Sequence, residues 1–393
     1  MVTDGISCKS CPTLSILLWK PGNNWRGCRA KPEQLLVKSQ GRSPDIIPED
    51  IQVYIILASA KKIRACHRCQ HSLTDAFCMP TSWWSEYLKN SNGYFGCEAT
   101  RESGSYTGFN TWAFFETKIV DNDAHYRWSK INIFTRWLCA TGQTGVLVFD
   151  SDDFSPPLIS AKDLGTAQWN DPFWIYIHIM EDIARLNDLA VWAIRNNVRS
   201  IETQQRPLGK PQPDYRRLHD IARHAVHVTE AVDVCLQTLG HILKQHECYV
   251  CPSHTNICDK KVTQEVWQDV HTRLEFFQTY IGSLHYRSIS NEKRLQNEIQ
   301  LAFNTVSQHD AAVTVEISRA ARSDSAAMKT LAFVALTFLP PTFLCAVFSM
   351  SFFNYSADSD WQVSGKIWIY WIFAIPTTIA TALLWLFWSK IFP

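Results

Sequence analysis

Cysteine pairs are the first candidates for chemistry in this chain. Three Cys-x-x-Cys pairs occur, namely Cys8 with Cys11, Cys66 with Cys69, and Cys248 with Cys251. The last pair is followed closely by His254 and Cys258, so four ligands could hold a zinc ion there. The spacing matches no standard zinc finger, however, and free thiols in a loop are the alternative interpretation.

Two carboxylates near the carboxyl end are the second candidates. Asp358 and Asp360 lie in a short polar segment, Asn354–Lys366, between two apolar stretches. Repeated around an oligomer, they would form a ring of negative charge that concentrates cations. Ordinary solvation of a loop is the alternative role for both residues.

No catalytic motif accompanies these residues. The sequence has no phosphate-binding loop, no Gly-x-Ser-x-Gly elbow and no His-Glu-x-x-His. The net charge of +1 argues against a nucleic-acid-binding protein, which would concentrate Lys and Arg in a basic face. The sequence therefore predicts neither an enzyme, nor a resident cofactor, nor a nucleic-acid partner.

The elements that position the acidic segment are two uncharged apolar stretches, Leu331–Phe353 and Ile367–Trp388. Each exceeds the roughly 20 residues that a helix needs to cross a hydrocarbon core of about 30 Å. The short connection predicts a helical hairpin in contact with membrane lipid. The predicted fold class is an α+β membrane protein with an N-terminal α/β domain, a long helical stalk and a C-terminal two-helix hairpin.

Charge sets the expected orientation of this hairpin. Arg319, Arg322 and Lys329 precede the first stretch, and Lys390 follows the second. Because basic flanks stay on the cytoplasmic side, both termini and the N-terminal body are predicted to be cytoplasmic. No signal peptide is recognisable at the N-terminus. We expect the plasma membrane rather than an organelle.

Composition divides the chain into four regions. Residues 1–50 are rich in Pro, Gly and Lys and predict an irregular lead-in. Short β-favouring runs in residues 51–165 predict a strand-containing α/β domain. Helical periodicity follows in residues 166–330, and residues 331–393 form the hairpin. The β-favouring runs are Ile51–Leu57, Thr111–Thr117, Ile131–Thr135 and Val146–Phe149.

One stretch, Thr263–Met328, contains no proline and a single glycine, Gly282. It keeps an apolar stripe and has no stop signal before the first apolar stretch, which predicts one long helix. At 1.5 Å per residue, this stalk could approach about 100 Å. A lone helix of that length is not stable in water, so we expect it to pack on neighbouring helices and on copies from other chains.

The first apolar stretch has a seam of its own. Spacings of three and four residues alternate along Met328, Leu331, Ala335, Phe338, Thr342, Cys345 and Ser349. This is the pattern of a left-handed bundle, and it marks either the lining of a pore or packing against a neighbouring helix. Pro340 and Pro341 should bend or loosen the helix at that point.

Four segments carry a resemblance to a known family: Asn291–Asn304, Asp324–Thr330, Phe338–Phe343 and Phe348–Phe353. They resemble the CorA-type magnesium transporter family, and most closely its divergent fungal branch, over roughly residues 171–388. The resemblance implies a homopentamer that transports Mg²⁺. It also implies a cytoplasmic α/β domain, a stalk helix continuing into a pore-lining first span, and a second span on the outside.

The same resemblance implies the pore residues and shows one departure. The pore-lining positions would be Met328, Leu331, Leu339, Thr342 and Ser349. The family's Gly-Met-Asn signature, which forms the selectivity mouth, is here Ser349-Met350-Ser351. Since a serine hydroxyl is shorter than the carboxamide, a ring of Ser351 would be wider and would hold the hydrated ion less well. Asn354, about one turn later, either replaces the missing carboxamide or caps the span.

Two functions from different classes follow. In the first, the chain is a divalent-cation channel or transporter, with Mg²⁺ the leading ion. In the second, it is a non-conducting CorA-like sensor or scaffold protein anchored in the membrane. The hairpin, the stalk and the seam favour the first, and the altered Ser349–Ser351 triplet favours the second.

Overall fold

The computed structural model describes residues 11–37, 42–85, 88, 90–121, 125–149, 167–204, 210–249, 262–349 and 365–391. The chain divides into two compact units. The first comprises residues 1–206 and 213–302, and the second comprises residues 207–212 and 303–393. The unit boundary therefore lies after Ala302, whereas composition divides the sequence after residue 330.

A seven-stranded mixed sheet forms the centre of the first unit. Its strands are β1 (Leu14–Trp19), β2 (Arg26–Ala30), β3 (Val53–Ala58), β4 (Gly93–Glu102), β5 (Ser105–Val120), β6 (Tyr126–Leu138) and β7 (Thr144–Phe149). The strand order is β2-β1-β3-β7-β6-β5-β4, and β3 and β7 pair in parallel at its centre. Both central strands are nearly continuous apolar runs, as expected for strands that are covered on both faces.

Helices cover both faces of this sheet. They are α1 (Ala60–Arg64), α2 (His67–Phe77), α3 (Ile175–Glu202), α4 (Tyr215–Tyr249) and, in part, α5 (Gln264–Phe348). On one face, the Tyr176 hydroxyl of α3 lies 2.8 Å from the Thr111 hydroxyl of β5. On the other face, Tyr54, Leu73 and Phe134 belong to a separate buried cluster. The sheet is thus the middle layer of the unit.

The predicted α+β class is confirmed, but one expectation about its strands is wrong and one strand was not predicted. Residues 1–50 were expected to be an irregular lead-in, yet they contain β1 and β2, and Leu14 and Ile16 are fully buried. Their Pro and Gly residues lie outside β1, which pairs with β2 and β3. Strand β4 was missed because its two glycines weaken the local signal, so pairing with β5 defines it.

The prediction of one long helix is confirmed, because α5 runs without interruption through Pro340 and Pro341. Within the first unit its buried residues repeat with helical periodicity: Val270, Leu274, Ile281, Leu284 and Leu295. The Asn291 side chain donates to the Val191 carbonyl of α3 at 3.2 Å. Arg294 donates through two guanidinium nitrogens to both carboxylate oxygens of Glu202. This part of α5 therefore belongs to the core of the first unit.

A buried polar chain joins the ends of three helices. Asp171 accepts the backbone N–H of Phe173 at 2.8 Å just before α3. Its other oxygen lies 2.8 Å from Nε2 of His246 on α4. The Nδ1 atom of His246 lies 3.1 Å from Nδ1 of His271 on α5. Asp171 and His246 are completely buried, so these bonds replace the water that the groups lose on folding.

The second unit contains α5 from Phe303 onward and α6 (Ile367–Ile391). Both helices are long and apolar enough to cross a membrane, and their apolar windows are almost entirely exposed in the single chain. Exposed apolar surface on this scale is covered by lipid or by another protein in a stable assembly. The apolar character of these helices is thus explained by contacts outside the chain.

Asp182 on α3 gives the first unit a testable pH dependence. Its side chain is buried, one oxygen lies 3.6 Å from Arg185, and the other has no hydrogen-bond partner among the described residues. Burial raises the pKa of Asp182 to about 6, although Arg185 opposes the shift. Because the folded pKa is raised, the folded state holds this proton more tightly. Stability is therefore greatest below the ordinary carboxyl pKa and falls as pH rises through about 6.

We expect Asp182→Asn to raise the Tm at pH 8, because the substitution removes a buried charge, and to change it little at pH 4. Each kcal/mol of removed penalty should add about 2–4 °C. Asp220→Asn is the matched control, since Asp220 has the same pairing with an arginine three residues later but its side chain is 41% exposed. Thermal unfolding at the two pH values measures both effects. Equal shifts for both variants at pH 8 would contradict the assignment.

Candidate functional site

The residues predicted to line a pore share one side of α5 in the second unit. At about 100° per residue, Met328, Leu331, Leu339, Thr342 and Ser349 fall within an arc of about 80° around the helix. All five are exposed in the single chain. We call the surface within this arc the α5 face.

Helix α6 contacts the other side of α5. The ring of Phe333 lies 6.0 Å from that of Trp385, and the ring of Phe348 lies 6.3 Å from that of Tyr370. The Tyr370 hydroxyl also lies 3.4 Å from the carbonyl oxygen of Pro341. These α5 residues are about 120° to about 160° around the helix from the middle of the α5 face. The second apolar helix therefore leaves the α5 face uncovered.

The seam predicted from spacing does not coincide with the α5 face at every position. Cys345 is about 80° from the middle of the face, and its Sγ atom lies 3.4 Å from the Tyr370 hydroxyl. A strict repeat of 3.5 residues drifts by about 20° per heptad on a straight helix with 3.6 residues per turn. This drift explains why Cys345 lies at the border with α6.

Two hydroxyl groups give the α5 face its acceptor atoms. The Thr342 hydroxyl donates to the Phe338 carbonyl at 2.9 Å, and the Ser349 hydroxyl donates to the Ala346 carbonyl at 2.9 Å. Since the helix takes both hydroxyl hydrogens, the oxygens offer lone pairs to a partner. The water shell of a hydrated cation directs its hydrogens outward, and lone pairs of this kind accept them.

The proline pair lies beside these hydroxyls. Pro340 and Pro341 have no N–H, so the carbonyls of Leu336 and Thr337 lack the backbone donor that a regular helix supplies. An open groove at this level is lined by Leu339, Pro340, Thr342 and Phe343. The prolines thus loosen the hydrogen bonding of α5 close to the hydroxyls of the α5 face.

Sequence reasoning missed two carboxylates on the same side of the helix. Continued toward the N-terminus, the α5 face includes Asp310, Ile317 and Asp324, and all three are exposed. The basic residues Arg319 and Arg322 are about 160° and about 140° from its middle. The periodicity that marked Met328 could have found these acids, but the segment was considered only as a stalk with basic flanks. The α5 face therefore combines apolar side chains, carboxylates and hydroxyls.

Several predicted residues lie outside the described part of the chain. They are Met350, Ser351 and Asn354 of the mouth, and Asp358 and Asp360 of the acidic segment. Of the predicted zinc ligands, Cys248 is exposed near the end of α4, and Cys251, His254 and Cys258 lie outside the described residues. The described thiols that do come together are those of Cys11, Cys66 and Cys69, which lie within 4.8 Å of one another.

The chain is similar in sequence to a known fungal protein. No protein-family model matches the chain. It is 32% identical over 286 residues to a protein of Aspergillus versicolor named notoamide biosynthesis cluster protein M'. The match covers 68% of this chain and 61% of the relative, so the chain spans less than two thirds of the length of that protein.

Three solved structures are similar in arrangement. The full-length CmaX protein has a TM-score of 0.42 at 12% identity, with 96% of this chain and 97% of CmaX covered. The CorA magnesium transporter from Methanocaldococcus jannaschii has a TM-score of 0.40 at 10% identity, with 94% and 96% covered. The ZntB cytoplasmic domain from Vibrio parahaemolyticus has a TM-score of 0.42 at 9% identity, with 76% and 99% covered. These scores and identities are too low to transfer a function.

The α5 face predicts which surface holds copies of the chain together. Ile317 on the face and Val315 on the other side are both β-branched and exposed, at 64% and 51%. We expect Ile317→Asp to weaken self-association at least about tenfold, because burying the original side chain contributes about 1.5–3 kcal/mol per copy. Val315→Asp should leave self-association unchanged.

Mass photometry of detergent-solubilised protein over a range of dilutions measures the effect. Both variants place one added carboxylate on the same helix, so a general effect of charge would appear in both. Dissociation of the Val315→Asp variant alone would contradict the role of the α5 face.

Proposed function

We propose that this protein is an oligomeric membrane channel or transporter for divalent cations, of the CorA-like type, with Mg²⁺ as the transported ion. The observation that carries the proposal is the composition of the uncovered α5 face. Within the predicted span it combines apolar side chains with the hydroxyls of Thr342 and Ser349, and before the span Asp310 and Asp324 continue the same side of the helix. Several copies of α5 around a path that contains water and cations would use the hydroxyls and the carboxylates together.

The order of groups along the α5 face fits such a path. Asp310 and Asp324 come first along the chain and would attract cations by their charge. Met328 and Leu331 follow, and rings of these apolar side chains would form a constriction that closes by excluding water. Thr342 and Ser349 come last, with hydroxyl oxygens that accept hydrogens from a hydrated ion.

The outer mouth is assigned from sequence alone. Ser349-Met350-Ser351 and Asn354 are the proposed contacts for the hydrated ion, and Asp358 and Asp360 the proposed entrance charges. Mg²⁺ keeps most of its water and is suited to a site that contacts the shell rather than the metal. The membrane potential would contribute about 2.3 kcal/mol per charge per 100 mV, and about twice that for a divalent ion.

The assembly and its placement in the membrane complete the proposal. We propose a homopentamer, with the first apolar helix lining the path and the second outside it. Basic flanks favour a topology with both termini in the cytoplasm, and we propose the plasma membrane as the location. No resident cofactor and no enzymatic activity are part of the proposal.

A membrane-anchored, non-conducting scaffold or sensor is the second candidate. The observation that favours it is the Ser349-Met350-Ser351 triplet, which stands where the resembling family has Gly-Met-Asn. With Ser351 in place of a carboxamide, the mouth has fewer long polar groups to reach a hydrated ion. The two candidates make opposite predictions for ion flux.

Flux measurements in liposomes test the proposal. We expect the reconstituted protein to admit Mg²⁺, detected by an enclosed fluorescent indicator, when an inside-negative potential is applied. Asp324→Asn should lower the flux severalfold or more, because acidic clefts raise local cation concentrations by about tenfold to a thousandfold. Glu316→Gln is the matched control, since it removes the same charge about 80° around the helix from Asp324.

Two results would contradict cation conduction along the α5 face. Equal losses of flux in Asp324→Asn and Glu316→Gln would mean that overall charge, not the face, matters. Absence of Mg²⁺ flux in a folded, oligomeric wild-type protein would favour the scaffold candidate.

A further inference from the structure

Three cysteine thiols meet in the first unit, far from the α5 face in sequence. The Cys69 thiol donates to the sulfur of Cys11 at 3.2 Å, and the sulfurs of Cys11 and Cys66 are 3.8 Å apart. All three sulfurs lie within 4.8 Å of one another. Cys11 and Cys66 are separated by 55 residues, so the fold rather than the local sequence gathers this group.

We propose that Cys11, Cys66 and Cys69 bind one Zn²⁺ ion in a structural site that ties the start of β1 to the start of α2. In a tetrahedral zinc site with Zn–S bonds of about 2.3 Å, neighbouring sulfurs are about 3.8 Å apart. The sulfur positions therefore need only small side-chain adjustments to surround an ion. The proposal is independent of ion conduction by the second unit.

The positions of the three residues favour thiolate ligands. Cys66 is the N-cap residue of α2 and makes no side-chain cap hydrogen bond, and Cys69 lies in the first turn of this 11-residue helix. The N-terminus of a helix carries partial positive charge, which stabilises thiolates. Lys62 and Arg64 just before α2, and Arg68 within it, add positive charge to the same segment.

The surroundings of the three sulfurs also favour a bound metal ion over three thiolates without one. Cys69 is buried and Cys11 and Cys66 are half-buried against the apolar cluster under the sheet. Three close thiolates repel one another, and a divalent cation removes this repulsion as it displaces the protons.

The fourth ligand of the tetrahedron is not assigned. Cys8 precedes Cys11 by three residues and completes a Cys-x-x-Cys pair in the sequence, but it lies outside the described residues. A water molecule would complete the shell equally well. The rival arrangement for the described thiols is a disulfide, although none of these three cysteines forms one here.

Metal analysis of the full-length protein tests the proposal. The protein is solubilised in detergent with a phosphine reductant, stripped with chelator, incubated with ZnCl₂ and desalted before elemental analysis. We expect one zinc per chain, and at least about tenfold weaker binding for Cys11→Ser, Cys66→Ser and Cys69→Ser in competition with a chromophoric chelator. Cys28→Ser is the matched control, because Cys28 is also half-buried against the same apolar cluster.

A second measurement uses the wild-type protein, so its result does not depend on whether a variant folds. When Co²⁺ replaces zinc in the wild-type protein, we expect thiolate-to-cobalt charge-transfer bands and the strong visible bands of a tetrahedral ion. Zinc removal should also lower the Tm, since the ion closes a loop of 55 residues.

Several outcomes would overturn the site. Absence of thiolate–cobalt bands in the reduced wild-type protein would exclude these ligands. If Cys28→Ser lost as much zinc as Cys69→Ser, zinc binding would not be specific to the cluster. Loss of zinc in Cys248→Ser but not in Cys69→Ser would place the metal at the end of α4. A protein that binds no zinc when reduced and forms a Cys11–Cys69 disulfide when oxidised would make the cluster a redox pair.

Discussion

The constraint on which the second unit depends is that a single chain leaves the α5 face uncovered. The α5 face alternates apolar residues such as Ile317 and Leu331 with Asp310 and Asp324, and α6 packs elsewhere. The carboxylates need water, whereas the apolar residues beside them along the face lose exposed area only when another molecule covers them. In the proposed oligomer, copies of α5 face one another around water, and this arrangement would create a path for cations.

The first unit buries its own part of the same helix against its other helices. Between Gln264 and Ala302, α5 buries apolar residues against α3 and α4 and pairs Arg294 with Glu202. The buried chain from Asp171 through His246 to His271 holds the beginning of α5 by hydrogen bonds. One continuous helix therefore has a part that is buried within the chain and a part that stays exposed in the single chain. The change from one to the other coincides with the boundary between the units.

How far sequence predicts structure here depends on how local the signal is. Helices α3, α4 and α5 were predictable because their apolar periodicity is strong and Pro207–Pro213 separates the first two. Strands β1, β2 and β4 were not, because β1 is short and bounded by Pro and Gly, β2 is short and polar, and two glycines interrupt β4, so that pairing with a neighbouring strand defines them. The cysteine cluster, by contrast, is a long-range contact between Cys11 and the Cys66–Cys69 pair. Four of the five predicted lining positions also fall on a local repeat and Leu339 comes from the family resemblance alone, whereas Asp310 and Asp324 were overlooked by starting that repeat at Met328.

The most direct test asks which side of α5 meets water inside the assembled protein. Thr342 lies on the α5 face and Thr337 about 140° around the helix from it, so single cysteines at these sites form a matched pair. The background would carry serine at the exposed Cys248 and Cys345. A charged, water-soluble thiol reagent should modify Thr342→Cys at least about tenfold faster than Thr337→Cys in liposomes, and it should block Mg²⁺ flux only in Thr342→Cys. Equal rates, or faster modification of Thr337→Cys, would contradict a water-filled path along the α5 face.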